Sequence, residues 1–282
     1  MKRWIGSGQQ DVGHSGVATG RGVFNLSSSS SVGENEKHHC VKFHFIDKGM
    51  SEMFELDHVV YFTKKAPGDI VKEVAIEGVH PVMGGQHLHW GTYNALLYTK
   101  NSYIEWLAIE NLDIAKNTTQ PLVQQLLYDI DDGEGYSSLC LRSDDLKESD
   151  RYFRKLGYQT TGVIPAERKT EDGKIIRWKM LFIKHKINHS LPYPFFIEWE
   201  QPLHKRYEML KADGIIQQAN EELQIKRCIF NVQDIEKKLI QWARLLSLPT
   251  IGNTLKLKNT TFVFQQLQEG KERLQTIDIV KV

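Results

Sequence analysis

The sequence carries almost no charge excess: 36 basic residues face 35 acidic ones, a net charge of +1 over 282 residues. That balance gives no electrostatic footprint for nucleic acid or for an anionic membrane surface. Long apolar runs are missing as well, and nothing approaches the ~20 residues needed to span a bilayer. Met1-Lys2-Arg3 has the charge of a secretory n-region, but no apolar h-region comes after it, which argues against a signal peptide. Cysteine is scarce. Cys40, Cys140 and Cys228 lie far apart without CxxC spacing, so a reduced cytoplasmic setting is expected rather than a disulfide framework.

What is present is an ordinary globular composition, 40% hydrophobic and 25% charged, in a chain long enough for about two domains. Residues 1–49 stand apart. They hold Gly6, Gly8, Gly13, Gly16, Gly20, Gly22 and the run Ser27 to Ser31 with little hydrophobic periodicity, the pattern of a disordered tail or of a non-native extension ahead of Met50 or Met53. His38, His39 and Cys40 are metal-ligating types, but no further donor accompanies them there, and a solvated tail is the preferred reading.

The folded part is organised around Tyr103-Ile104-Glu105-Trp106-Leu107-Ala108-Ile109-Glu110, whose aromatic and β-branched residues predict a strand. Tyr103, Glu105, Leu107 and Ile109 share one side, Ile104, Trp106 and Ala108 the other. Both sides are apolar, which leaves Glu105 as a carboxylate in a dry place. Phe195-Phe196-Ile197-Glu198-Trp199 repeats the word and suggests a duplication with Glu198 as a second inward carboxylate. Around these strands the pattern strand, helix, then a strand meander runs from Phe54 and again from Ser138. Gln159 to Val163 is a candidate short strand of the second copy. A fainter third copy starts at Gln224, with Arg273 to Ile277 in the place of the closing strand. Residues 112–136 read as a link ending in a solvated acidic loop from Asp129 to Gly135. The expected organisation is α+β, with repeated βαβββ modules forming cupped mixed β-sheets and helices outside. Its parts are a tail (1–49), a two-module domain (50–202), a connecting helix (203–222) and a third module (223–282) that serves dimerisation.

Leu-Asp-His in the first strand, the closing Ile-Glu-Trp and the loop Gly84, Gly85, His87, Trp90, Gly91, Thr92 and Asn94 together resemble the vicinal oxygen chelate superfamily of glyoxalases, bleomycin-resistance proteins and extradiol dioxygenases. The glyoxalase-like branch is the nearer match. The resemblance implies a cupped sheet of paired modules around a divalent metal (Fe, Mn, Ni, Zn or Mg). Mapped onto this chain, the metal ligands are His58, Glu105 and Glu198, with the two glutamates as catalytic groups. Ser138 occupies the fourth ligand position, a departure from the pattern that His87, His89 or water would have to make good and that lowers a dioxygenase reading. His87, Trp90, Asn94 and Arg142 are the candidate substrate contacts. The implied activity is a metal-dependent lyase, isomerase or oxygenase reaction on a small vicinal-oxygen substrate, in a pocket at the sheet mouth. Against this stand a metal-free small-molecule binding or resistance module and a mere assembly platform. Plainer roles also exist: His58 as a hydrogen-bonded core histidine, Glu105 and Glu198 as partners of Arg142 or Arg177, and Trp106 and Trp199 as core packing. The expected partners are the small molecule and a second copy of the chain in a homodimer, with no nucleic acid and no membrane.

Overall fold

The computed structural model describes residues 53–75, 78–170 and 173–282, together with the backbone of 2–5. His38, His39 and Cys40, and all but four residues of the expected tail, lie outside the described residues. Those four form β1 (Lys2–Ile5). The first module comes next as β2 (Glu55–Phe62), α1 (Pro67–Ala75), β3 (Val82–His87), β4 (Thr92–Tyr98) and β5 (Tyr103–Ile109). Two helices, α2 (Leu112–Asn117) and α3 (Pro121–Asp129), occupy the stretch whose sequence suggests a plain link. The second module is β6 (Gly135–Arg142), α4 (Leu146–Lys155), β7 (Ile164–Lys169), β8 (Ile175–Leu181) and β9 (Phe195–Trp199). Its second strand is thus β7, while Gln159 to Val163 holds only the isolated bridge Thr160–Ile183.

The two modules close into one curved eight-stranded sheet, in the order β2-β5-β4-β3-β7-β8-β9-β6. This is the expected α+β fold of repeated βαβββ units. The seam between β2 and β6 runs the length of both strands. The opposite seam, β3 to β7, holds a single pair, Gln86 with Lys169. Helix α4 starts where Asp145 accepts the Glu148 amide at 2.9 Å, an N-cap. Side chains then sort by strand alternation. Ile104, Trp106, Leu139 and Phe196 face an outer core shared with α1 and α4, whereas Val60, Leu107, Cys140 and Ile197 face inward. Leu122 and Leu126 of α3 plug the inner core from one end.

After α5 (Leu203–Ala212) and α6 (Gln218–Glu221) come β10 (Leu223–Val232), α7 (Ile235–Leu246), β11 (Thr250–Ile251), β12 (Thr254–Lys256), β13 (Thr261–Gln266) and β14 (Arg273–Lys281). Strand β13 lies parallel to β10, as β5 does to β2, so β13 is the closing strand of this third unit. The sequence pattern points to Arg273–Ile277 for that role. Those residues belong instead to β14, added antiparallel on the other side of β10 and carrying β1 beyond it. Strand β10 is therefore paired on both edges, by β13 and by β14. Asp129 is also not a solvated loop residue: it ends α3, half-buried against Arg273 (2.7 Å) and Lys271 (3.2 Å). Among the described residues no helix is long and apolar enough to cross a membrane.

Strand β2 contains a bulge. Leu56 pairs with Leu141 and His58 with Cys140, leaving Asp57 as the extra residue. The side chain of Asn259, between β12 and β13, accepts the Leu56 amide at 2.9 Å and donates to its carbonyl at 2.9 Å. Asn259→Ala leaves that buried amide without a partner, so the variant should lose about 1–3 kcal/mol of stability. Urea unfolding checks this through a lowered midpoint at unchanged slope.

Candidate functional site

Inside the eight-stranded sheet lies a chamber of about 40 Å³, bounded by Leu122 and Val123 of α3 and by Arg206 of α5. Its chemistry is a chain of buried groups. The Trp199 indole donates to Asp57 Oδ2 at 3.0 Å, and Asp57 Oδ1 meets His58 Nδ1 at 2.8 Å. His58 Nε2 lies 3.3 Å from Glu105 Oε2, and the Asn94 amide donates to Glu105 Oε1. The β2 bulge lets the neighbouring residues Asp57 and His58 serve one network, where an unbroken strand would point them to opposite faces. Tyr103 stacks on the imidazole with ring centroids 4.4 Å apart, and Phe195 meets it edge-on at 5.5 Å.

Burial opposes charge on every member, yet the network outweighs it. For His58, the hydrogen-bonded Asp57 and Glu105 carboxylates raise the imidazole well above its ordinary range, so it stands as an imidazolium. Asp57 is held at about 2 by its hydrogen bond to His58 and the ring's charge. Glu105 is lowered by the same imidazolium and by Asn94. Burial also pushes the Cys140 thiol up to about 12. His87, whose Nδ1 lies 3.1 Å from Thr92 Oγ1, is lowered to about 4 by burial and is neutral.

Of the residues singled out from the sequence, His58, Glu105, His87, Trp90 and Asn94 line the chamber. Glu198 does not. Phe195, Ile197 and Trp199 face the chamber, so the intervening Glu198 faces α4, where it accepts the Leu146 amide at 2.9 Å and pairs with Lys179. The strand registers explain the difference. His58 pairs with Tyr103 in the first module and Cys140 with Phe195 in the second. Tyr103 therefore corresponds to Phe195, Glu105 to Ile197 and Trp106 to Glu198. The repeated word is shifted by one residue, which reverses its faces. His58 and Cys140 lie opposite each other across the β2–β6 seam that relates the modules, so Cys140, not Ser138, is the counterpart of His58. Arg142 lies outside the chamber, bound to Glu55 and to the carbonyls of Leu56 and Asn101 at 2.8 Å each. His89 is exposed, and Arg177 pairs with Glu167 at 3.1 Å.

The donor set therefore does not fit the expected His58, Glu105, Glu198 centre: an isoleucine stands where the second carboxylate would project. A different group has ligand spacing, since donor atoms of Asp57, His58 and Cys140 all lie within 4.8 Å of one another.

Two arginines complete the walls, and neither stands out in the sequence. Arg168 sits in a charged run, Glu167-Arg168-Lys169, that looks solvated. Its one signal is the alternation Ala166, Arg168 on the buried face of β7. Arg206 comes from α5, a helix in which Tyr207 alone is buried. Gly84 and Gly85 make room here. A Cβ on Gly84 would lie 1.9 Å from Asn94 Oδ1, and one on Gly85 (φ +128°) would lie 2.2 Å from the Lys169 carbonyl oxygen.

Residues 56–246 match the glyoxalase-like domain family. The chain belongs to that family, and with it to the vicinal oxygen chelate proteins. No curated protein matches the sequence. Among solved structures, a hypothetical protein from Staphylococcus aureus is 22% identical, with a TM-score of 0.64 covering 78% of this chain and 88% of that one. This likeness establishes shared fold. Methylmalonyl-CoA epimerase from Mycobacterium tuberculosis is 19% identical and covers 53% of this chain and 91% of its own, with a TM-score of 0.36.

The buried neutral His87 makes stability fall with acid. Its unfolded value of 6.5 exceeds the folded value of about 4, so protons favour the unfolded chain between those limits. His58, raised, contributes fully below 6.5 and does not change in that window. The expected loss from pH 6.5 to 4 is about 3 kcal/mol from His87. Denaturant titration across this range should show a clearly shallower slope for His87→Gln, with a residual from His185, which burial also lowers.

Proposed function

We propose that the chamber carries out an isomerase- or lyase-type proton transfer on a small substrate with two neighbouring oxygens, using His58 and Glu105 as an acid–base pair. The observation supporting this reading is the imidazolium shared between two buried carboxylates, its Glu105 side turned to the chamber. A substrate carbonyl entering beside Nε2 would take the His58 hydrogen bond. Glu105 would then lose its strongest partner and become more basic, placed to accept the proton from the adjacent carbon. Charge developing on the oxygen is met by the imidazolium in a largely buried site. Asp57, fastened by Trp199, keeps the ring in orientation throughout. His87 is neutral and serves as a hydrogen-bonding wall.

A second reading is favoured by the spacing of Asp57, His58 and Cys140. A thiol, an imidazole and a carboxylate form a donor set suited to zinc or iron more than to magnesium. An ion there would displace the His58 proton and supply Lewis-acid chemistry at the same chamber wall.

The test is solvent exchange. In D2O, short 2-hydroxy and 2-oxo carbonyl compounds should gain deuterium beside the carbonyl, as seen by proton NMR. The rate should fall by about 10²–10⁴ in Glu105→Gln and in His58→Gln, and it should survive a chelator. Undiminished exchange in the two variants would sink the reading. Chelator-sensitive exchange with one metal ion per chain would favour the second.

A further inference from the structure

We infer that Arg168 and Arg206 form an oxyanion-binding throat to this chamber, so that its ligand carries a carboxylate or phosphate beside the end that enters. Calling that ligand a substrate rests on the proton-transfer reading; the anion site itself does not.

The two guanidinium groups combine burial, full or partial, with the lack of an ion pair, whereas Arg151 and Arg244, which also have no ion pair among the described residues, are exposed. Arg142, Arg154, Arg177, Arg227 and Arg273 each pair with a carboxylate. Arg168 and Arg206 have no ion pair among the described residues. Arg168 is only 8% exposed, and Nη1 of each is buried without a hydrogen-bond partner. Leaving a buried charged donor unmet is costly, and native structures seldom do so without a ligand or solvent partner. Asp57 is close enough to favour the charge of Arg206, but the oxygens of Asp57 and Glu105 are already hydrogen-bonded by Trp199, His58 and Asn94 and leave the free N–H groups unmet.

Position adds to this. Leu96, Arg168, Trp199 and Arg206 line both the inner chamber and an outer groove of about 990 Å³. The groove lies along the weak β3–β7 seam, bordered by α5. The arginines therefore stand at the junction. Arg206 is held by stacking, its guanidinium carbon 3.7 Å from the Trp199 ring centroid, and by Nη2, which donates to the Tyr98 hydroxyl at 3.4 Å; Nη1 is left without a partner. The Trp178 indole N–H, also unpartnered, adds a third donor on the chamber wall. A planar fork of N–H donors matches carboxylate and phosphate oxygens. The chamber is too small for more than a few heavy atoms, so the anion sits close to the reacting carbon and any larger remainder lies in the groove.

The experiment uses the full chain at constant ionic strength, with pyruvate, inorganic phosphate and neutral acetamide as probes, read by thermal shift and calorimetry. At least one oxyanion should stabilise saturably, and acetamide should not. Whichever binds tighter identifies carboxylate or phosphate as the natural group. Affinity should drop about 10- to 100-fold in Arg168→Gln and Arg206→Gln. It should recover in part in Arg206→Lys and be unchanged in Arg177→Gln, which alters a paired groove residue. Binding should persist in Glu105→Gln, so failed proton exchange with intact anion binding removes the catalytic reading alone. No stabilisation by either oxyanion, or stabilisation unchanged in both arginine variants, overturns the throat. Should those variants not fold, a selenate soak of wild-type crystals decides: selenium between Arg168 and Arg206 supports the site, and its absence there overturns it.

Discussion

A buried imidazolium shared by two carboxylates is the interaction on which the rest of this molecule depends. His58 is 4% exposed, Asp57 1% and Glu105 6%; three ionised groups so deep are tolerable only together. Removing one partner from such a set leaves an uncompensated charge, at a typical cost of about 3–5 kcal/mol. Much of the local architecture serves to keep the set intact. The β2 bulge places Asp57 and His58 in one network, Asn259 satisfies the peptide groups that the bulge frees, Trp199 fixes Asp57 and Asn94 fixes Glu105.

The duplication that builds the sheet is faithful in backbone and broken in chemistry. Corresponding positions hold His58 and Cys140, Tyr103 and Phe195, Glu105 and Ile197. One module thus carries the ionisable groups, while the other contributes apolar and aromatic walls together with Arg168. That asymmetry turns a cup suited to symmetric ligation into a chamber with one polar side. The buried cation is stable there because Asp57 and Glu105 meet it directly, and the dry wall strengthens that attraction even as it opposes an unpaired charge.

The third unit acts on the site from outside. Its helix and sheet join the outer core beneath α4, and its loop residue Asn259 reaches a peptide 203 positions away. The family match extends into this unit, to residue 246, in keeping with a buttress for the two-module sheet. The ion pairs of Asp129 with Arg273 and Lys271 tie its last strand to the end of α3, the helix that plugs the chamber.

Local pattern alone determined a good deal. Alternation in Tyr103–Ile109 assigned Glu105 to one face and Trp106 to the other, as the folded chain has them. The order strand, helix, meander was legible because turns, caps and alternation are written within ten or so residues. The glycine-rich loop led to His87 and Asn94. What only tertiary structure decided was which face of each later strand looks inward. Phe195–Trp199 is apolar on both sides, so its register was set by pairing with β6 and β8 rather than by its own letters. Little in the local sequence marks Arg168 and Arg206 as buried, because charge is a property of one residue and burial is not. The bulge at Asp57 and the enclosure by α3 and α5 likewise arise from segments distant in sequence meeting in space. Periodicity is a short-range property of the chain, whereas inside and outside are settled by long-range contacts.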